Sequence, residues 1–230
     1  MIEYTLTLAE GRSVHFKVDP ERARGAAGDG EPHPCWTRLE YQQCPNCPLP
    51  AGEHRYCPAA LDIEQIVAAF GDVFSYHQVT VEVRTDERTY VKRTDVQTAL
   101  RSLMGLCLAT SGCPVLGRMK GPARQHLPLA TVGETLSRMV GAYLIGQYIV
   151  AREGGTPDWE LNGMTRFYAE LQDVNRALKC RLDAAAEKDA NINAVVSLMS
   201  ISMLVSFSLE QQLMELKPFT IDGTGGPPPP

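Results

Sequence analysis

The sequence has no excess of positive charge. In 230 residues, 22 Lys and Arg stand against 27 Asp and Glu, a formal net charge of −5. Such a chain lacks the overall electrostatic footprint of a nucleic-acid or anionic-membrane binder. Its one basic cluster, Arg118, Lys120, Arg124 and His126, reads as a solvated loop. Long apolar runs are also missing. The longest, Ala194 to Leu209, is about 16 residues with five serines, short of the roughly 20 that span a bilayer. It reads as a buried helix or a self-association face. The opening MIEYTLTLAEGRS has no basic segment followed by an apolar run, so it does not read as a signal peptide. There is no Gly-rich phosphate loop, no H-E-x-x-H, no G-x-S-x-G and no internal repeat. Three common enzyme classes therefore have no motif here, and catalysis stays an open question. Seven cysteines, an odd number, argue against a secreted disulfide framework. The expectation is a cytoplasmic protein with reduced thiols, no nucleic-acid partner and no membrane.

What is present is an ordinary globular composition, 44% hydrophobic and 21% charged. Tyr4 to Leu8 and Val14 to Val18 alternate apolar and polar residues, which predicts a β-hairpin. The Gly-, Ala- and charge-rich stretch from Glu21 to Pro34 reads as a mobile loop. Pro58 opens a helix that Gly71 stops. Val79 to Arg93 alternates around Thr85-Asp86-Glu87, a second hairpin. Beyond that the chain is helical. Thr94 can cap one helix, and Thr131 with Glu134 has capping-box spacing for another, stopped at Gly154-Gly155. Two more fill Gly163 to Leu216, with a break near Asp189-Ala190-Asn191. The fold class is α+β: two hairpins pairing into one antiparallel sheet, followed by a helical, bundle-like half. The divisions are 1–93, 94–218 and a Pro/Gly tail at 219–230 expected to be disordered, with 1–218 as one integrated domain the other option.

The chemistry concentrates in QCPNCPLPAGEHRYCP, Gln43 to Pro58, where each of Cys44, Cys47 and Cys57 is followed by proline. Cys44-x2-Cys47 lets a tight turn aim two sulfurs at one ion, and Cys57 can return as a third ligand. Cys113 carries the same signature, in Ser111-Gly112-Cys113-Pro114, whereas Cys35, Cys107 and Cys180 lack the proline. Proline fixes φ and removes a competing N–H. It also starts a helix, leaving the cysteine near the helix N-terminus, where a thiolate is favoured. Cys44, Cys47, Cys57 and Cys113 are therefore the expected four-sulfur set, with Cys35 and His126 in reserve and His33 and His54 as last substitutes. Structural zinc is the first expected occupant, and an iron–sulfur cluster is the alternative, since ferredoxin-type cysteines are also followed by proline. A redox dithiol at Cys44 and Cys47, or unliganded thiols, are the remaining readings. Cys107 and Cys180 lie in apolar helical stretches and read as core.

Several other residues have a bland and a sharp reading. His126, in a proline-bounded loop after Cys113, is either a satisfied loop histidine or the base for a Cys113 nucleophile. Arg166, Glu170 and Asp173 read as a solvated helix stripe. Trp159 reads as a packing anchor.

The runs CPNCPL and YCP around Cys44 to Cys57, ATSGCP (Ala109 to Pro114), HLPLA (His126 to Ala130) and PDW (Pro157 to Trp159) resemble those of an uncharacterised bacterial family, a domain of unknown function, over nearly the whole chain. The resemblance implies a bacterial, intracellular origin and no particular activity, and it places Cys113 and His126 near the centre of interest. The combined expectation is a metal-binding scaffold whose helical half offers a surface to a protein partner or a second copy.

Overall fold

The computed structural model describes residues 1–22 and 32–220. The stretch 23–31, at the centre of the expected loop, and the tail 221–230 lie outside the described residues. Four strands form one antiparallel sheet in the order β2-β1-β3-β4: β1 Ile2–Leu8, β2 Ser13–Val18, β3 Gln78–Arg84 and β4 Thr89–Asp95. The two hairpins join through β1 and β3, where Tyr4 faces Val83 and Leu6 faces Val81. Strand alternation sends Ile2, Tyr4, Leu6, Leu8, Val79 and Val81 to one buried face. Their neighbours Glu3, Thr5, Thr7, His15 and Lys17 stay at the surface. The helices thus pack on one face of the sheet, and the helical half leaves the other to solvent.

Helix α1 runs Pro58–Phe70, with Cys57 at its N-cap and Gly71 at its end. Strand β4 passes directly into α2, Val96–Ala109, and the cap is Asp95, whose carboxylate accepts the Thr98 N–H at 2.8 Å, rather than Thr94. Thr94 still belongs to the ladder, paired with Val79. A short α3, Lys120–Ala123, precedes α4, Val132–Arg152. The α4 capping box forms with both reciprocal bonds, Glu134 N–H to Thr131 Oγ1 and Thr131 N–H to Glu134 Oε2. Then come α5, Asn162–Asp183, and α6, Ala190–Thr220, interrupted at Ser208, where φ is −141°. Asp189 holds the start of α6 against the sheet-side loop by accepting the Ser75 N–H and hydroxyl.

Helix α2 is the hub. It touches the sheet, α1 and α6, and Leu100, Leu103 and Met104 are fully buried. The buried residues form one continuous core through both halves of the chain. Ala194 and Val195 of α6 belong to it, and Asn191 donates to the Val67 carbonyl. The helix extends the apolar run on both sides, so Ala190–Glu215 is long and apolar enough to cross a membrane by length and composition. Phe207, Met203 and Met214 stay exposed there, as do Ile145, Tyr148 and Ile149 of α4.

Candidate metal centre

The cysteine loop is an excursion closed at its base by the backbone. Leu39 N–H bonds to the Arg55 carbonyl at 3.0 Å, and Cys57 N–H bonds to the Thr37 carbonyl at 2.8 Å. Within the loop the Cys47 N–H bonds to the Cys44 carbonyl at 3.0 Å. This is the tight turn that the C-x2-C spacing asks for. Cys113 arrives from the far side, after α2, and starts a turn in which Gly117 N–H bonds to its carbonyl at 2.8 Å. That turn becomes a four-residue 3-10 helix, so Cys113 has no full α-helix behind it, whereas Cys57 has α1.

Cys44, Cys47, Cys57 and Cys113 line one cavity. Leu39, Leu49, Val174 and Leu178 complete much of its wall, which brings α5 to the site. The cavity volume is about 10 Å³, close to the least that admits a water-sized body. As the side chains stand, no three His, Cys, Asp or Glu among the described residues form a group that could hold a metal ion. The four thiols surround a space without converging on a point. Cys35 is exposed at the start of a 3-10 turn and is not on this wall. Neither are His33, which pairs with Glu64, or His54.

Burial raises the thiol pKa of Cys44 to about 12, and the other three cysteines add to the rise. Burial also raises Cys57 and Cys113. Opposing it at Cys57 are the Arg181 charge and the backbone N–H groups of Ala60 and Ala59; at Cys113 they are the N–H groups of Leu116 and Val115. Polar backbone thus points at two of the sulfurs, as it does in thiolate sites.

Arg181 is the residue that motif reading passes over. It is 1% exposed, the largest fully buried side chain. Its Nη1 donates to the Trp36 and Arg38 carbonyls, both at 2.6 Å, and its Nη2 to the Leu39 carbonyl at 3.0 Å. It therefore clamps the segment before the cysteine loop onto α5. Among the described residues it forms no ion pair with a carboxylate. Asn46 stands on the same wall, and its Oδ1 is buried without a hydrogen-bond partner among the described residues.

His126 lies elsewhere. Its Nε2 is 2.6 Å from the Tyr4 hydroxyl, which is 2.8 Å from Ser102 Oγ. Ser102 Oγ in turn accepts the Leu129 N–H at 2.9 Å. His126 borders a second cavity, between α2, α4 and α5, on whose wall Cys113 does not stand. The structure does not bring the two together as nucleophile and base. Burial, then the Arg138 charge, lowers the His126 pKa to about 3. The folded pKa lies below the usual 6.5 or so, so the unfolded chain takes up the proton first. Stability should fall as pH drops below about 6.5. His126→Gln should flatten that dependence, read by urea denaturation at pH 7 and pH 5. An equal loss in both proteins would show that His126 does not titrate this way.

The basic loop is mostly engaged internally. Arg118 pairs with Glu170, Arg124 with Glu21, and Lys120 donates to the Arg22 carbonyl. Glu170 is thus tied to this loop, while Asp173 pairs locally with Arg176 at the helix surface. Trp159 is 51% exposed and anchors nothing, and Cys180 is only half-buried, unlike Cys107.

The chain belongs to a family described as a domain of unknown function (DUF6901), whose model matches residues 2–220. No curated protein and no solved structure matches it.

Proposed function

We propose that Cys44, Cys47, Cys57 and Cys113 bind a thiolate-held metal centre that fixes the cysteine loop to the helical half. Arg181 carries this reading. A fully buried guanidinium with only carbonyl partners is costly unless an anion stands near it. The neutral thiols on the adjacent wall do not supply one. Four thiolates around zinc, or around an iron–sulfur core, form an anionic centre and do. Metallation would release the thiol protons and form metal–sulfur bonds, so binding free energy becomes folding free energy.

Zinc is the simpler occupant and suits a structural role. A cavity of about 10 Å³ suits one small ion, whereas a cluster core of several iron and sulfide atoms would have to push the walls apart. We therefore place zinc first and keep the iron–sulfur cluster as the alternative. All seven cysteines are free, which supports a protein working in the reducing cytoplasm. The exposed apolar side chains of α4 and α6 support a surface for a protein partner or a second copy.

The visible spectrum of protein purified without oxygen tests the choice of occupant. A colourless protein with one equivalent of zinc is the expected result. A broad brown absorption that bleaches with dithionite would replace zinc with the cluster and leave the four-cysteine set standing.

A further inference from the structure

The second cavity is the larger, at about 130 Å³. That is close to the engineered cavities, about 150 Å³, that hold benzene. Leu106, Leu116, Met139, Leu171, Leu198 and Ile201 supply apolar wall. The polar part includes Arg101, Ser102, His126, Arg138 and Tyr168, with Thr135, Asn175 and Ser202 beside them. No Asp or Glu stands on the wall. Two guanidinium groups therefore border a mainly apolar space that contains no acid. Neither forms an ion pair with a carboxylate among the described residues. Arg101 donates to the Ala130 carbonyl, and Arg138 to the carbonyls of Pro122 and Gln125. The Arg138 Nε–H is buried and has no hydrogen-bond partner among the described residues.

This is the make-up of a small-molecule site: apolar walls, a few placed donors and an unmatched charge. We propose that the cavity binds a small apolar carboxylic acid in its ionised form, its ring or short chain among the α2, α4, α5 and α6 side chains and its carboxylate on Arg138. A planar guanidinium suits a carboxylate through paired N–H bonds, and Arg138 has an N–H to spare. Arg101 adds a second positive charge. The size of the cavity excludes long acyl chains. The backbone beside the site is held in an uncommon conformation. Leu129 has φ of +57°, kept there in part by the bond from its N–H to Ser102. His126, on the wall, is held from behind by its hydrogen bond with Tyr4. Nothing in this site depends on the cysteines or on the metal proposed for them.

Benzoate is the probe, benzyl alcohol its uncharged counterpart, and calorimetric titration of the full chain the measurement. Benzoate should bind with a Kd on the order of 1 mM or tighter and at least tenfold more tightly than the alcohol. Arg138→Gln should weaken benzoate at least tenfold and leave the alcohol within twofold. If Arg138→Gln does not fold, Arg101→Gln provides a second comparison, and the comparison of benzoate with alcohol on the unaltered chain stands without any variant. Equal affinity for the two probes, or no saturable benzoate binding, would overturn the proposal.

Discussion

Cys113→Ser is expected to lose the metal centre. The variant should retain less than half the metal of the unaltered chain. Its unfolding midpoint in urea should fall by an amount equivalent to several kcal/mol, since metal binding here is folding free energy. The reason is geometric. Cys44, Cys47 and Cys57 come from one loop, while Cys113 comes from the segment after α2, and only the four together surround the cavity. Three thiolates on one loop would hold an ion much more weakly and would no longer tie that loop to the helices. Cys35→Ser is the matched control. Cys35 is exposed and away from the wall, so its loss should leave metal content and stability unchanged. Full metal content in Cys113→Ser would remove it from the set, and a drop in Cys35→Ser would put Cys35 in its place.

Arg181→Met should be the most damaging single change outside the cysteines. It leaves the carbonyls of Trp36, Arg38 and Leu39 without their donor in a buried place. An unmatched buried polar group costs about 1–3 kcal/mol. Losses at three carbonyls are partly shared by relaxation, so a total of about 3–5 kcal/mol is reasonable. For a chain of this length that lowers the thermal midpoint by on the order of 10 °C. Arg181→Lys separates the two roles of the side chain. It keeps the positive charge beside the thiolates and loses the fork that reaches three carbonyls. The account predicts that Arg181→Lys is destabilised yet keeps its metal, and that Arg181→Met loses both. Full metal content in a folded Arg181→Met would show that the charge does not serve the centre.

The four cysteines were legible because proline marks them. The Cys-Pro pairs at Cys44, Cys47, Cys57 and Cys113 separate four of seven cysteines on sequence alone, and those four share a wall. The two hairpins were legible for the same kind of reason, strict alternation with a turn between. The capping box at Thr131 and Glu134 needs only residues three apart, so it could be read directly. Arg181 was missed, although a signal existed. Val174, Leu178, Arg181 and Leu182 follow the helical apolar spacing, so an arginine stands where the core stripe continues. A charge on that stripe should draw the eye more than any charge on a solvated face.

Other features could not be read locally. His126 hydrogen-bonds with Tyr4, 122 residues away in sequence, and no spacing rule reaches that far. The pairs of Arg118 with Glu170 and Arg124 with Glu21 turn an apparently solvated basic loop into a clamp between distant segments. Trp159 carries the opposite lesson. Large aromatics usually bury, but the turn after α4 leaves this one at the surface.

The most direct test is the metal content of the full-length protein purified without oxygen, per chain, by elemental analysis. The expected result is one zinc per chain or, with the cluster in place of zinc, stoichiometric iron with acid-labile sulfide. Protein that is folded, stable and free of any stoichiometric metal, with all four cysteines present as thiols, would contradict it.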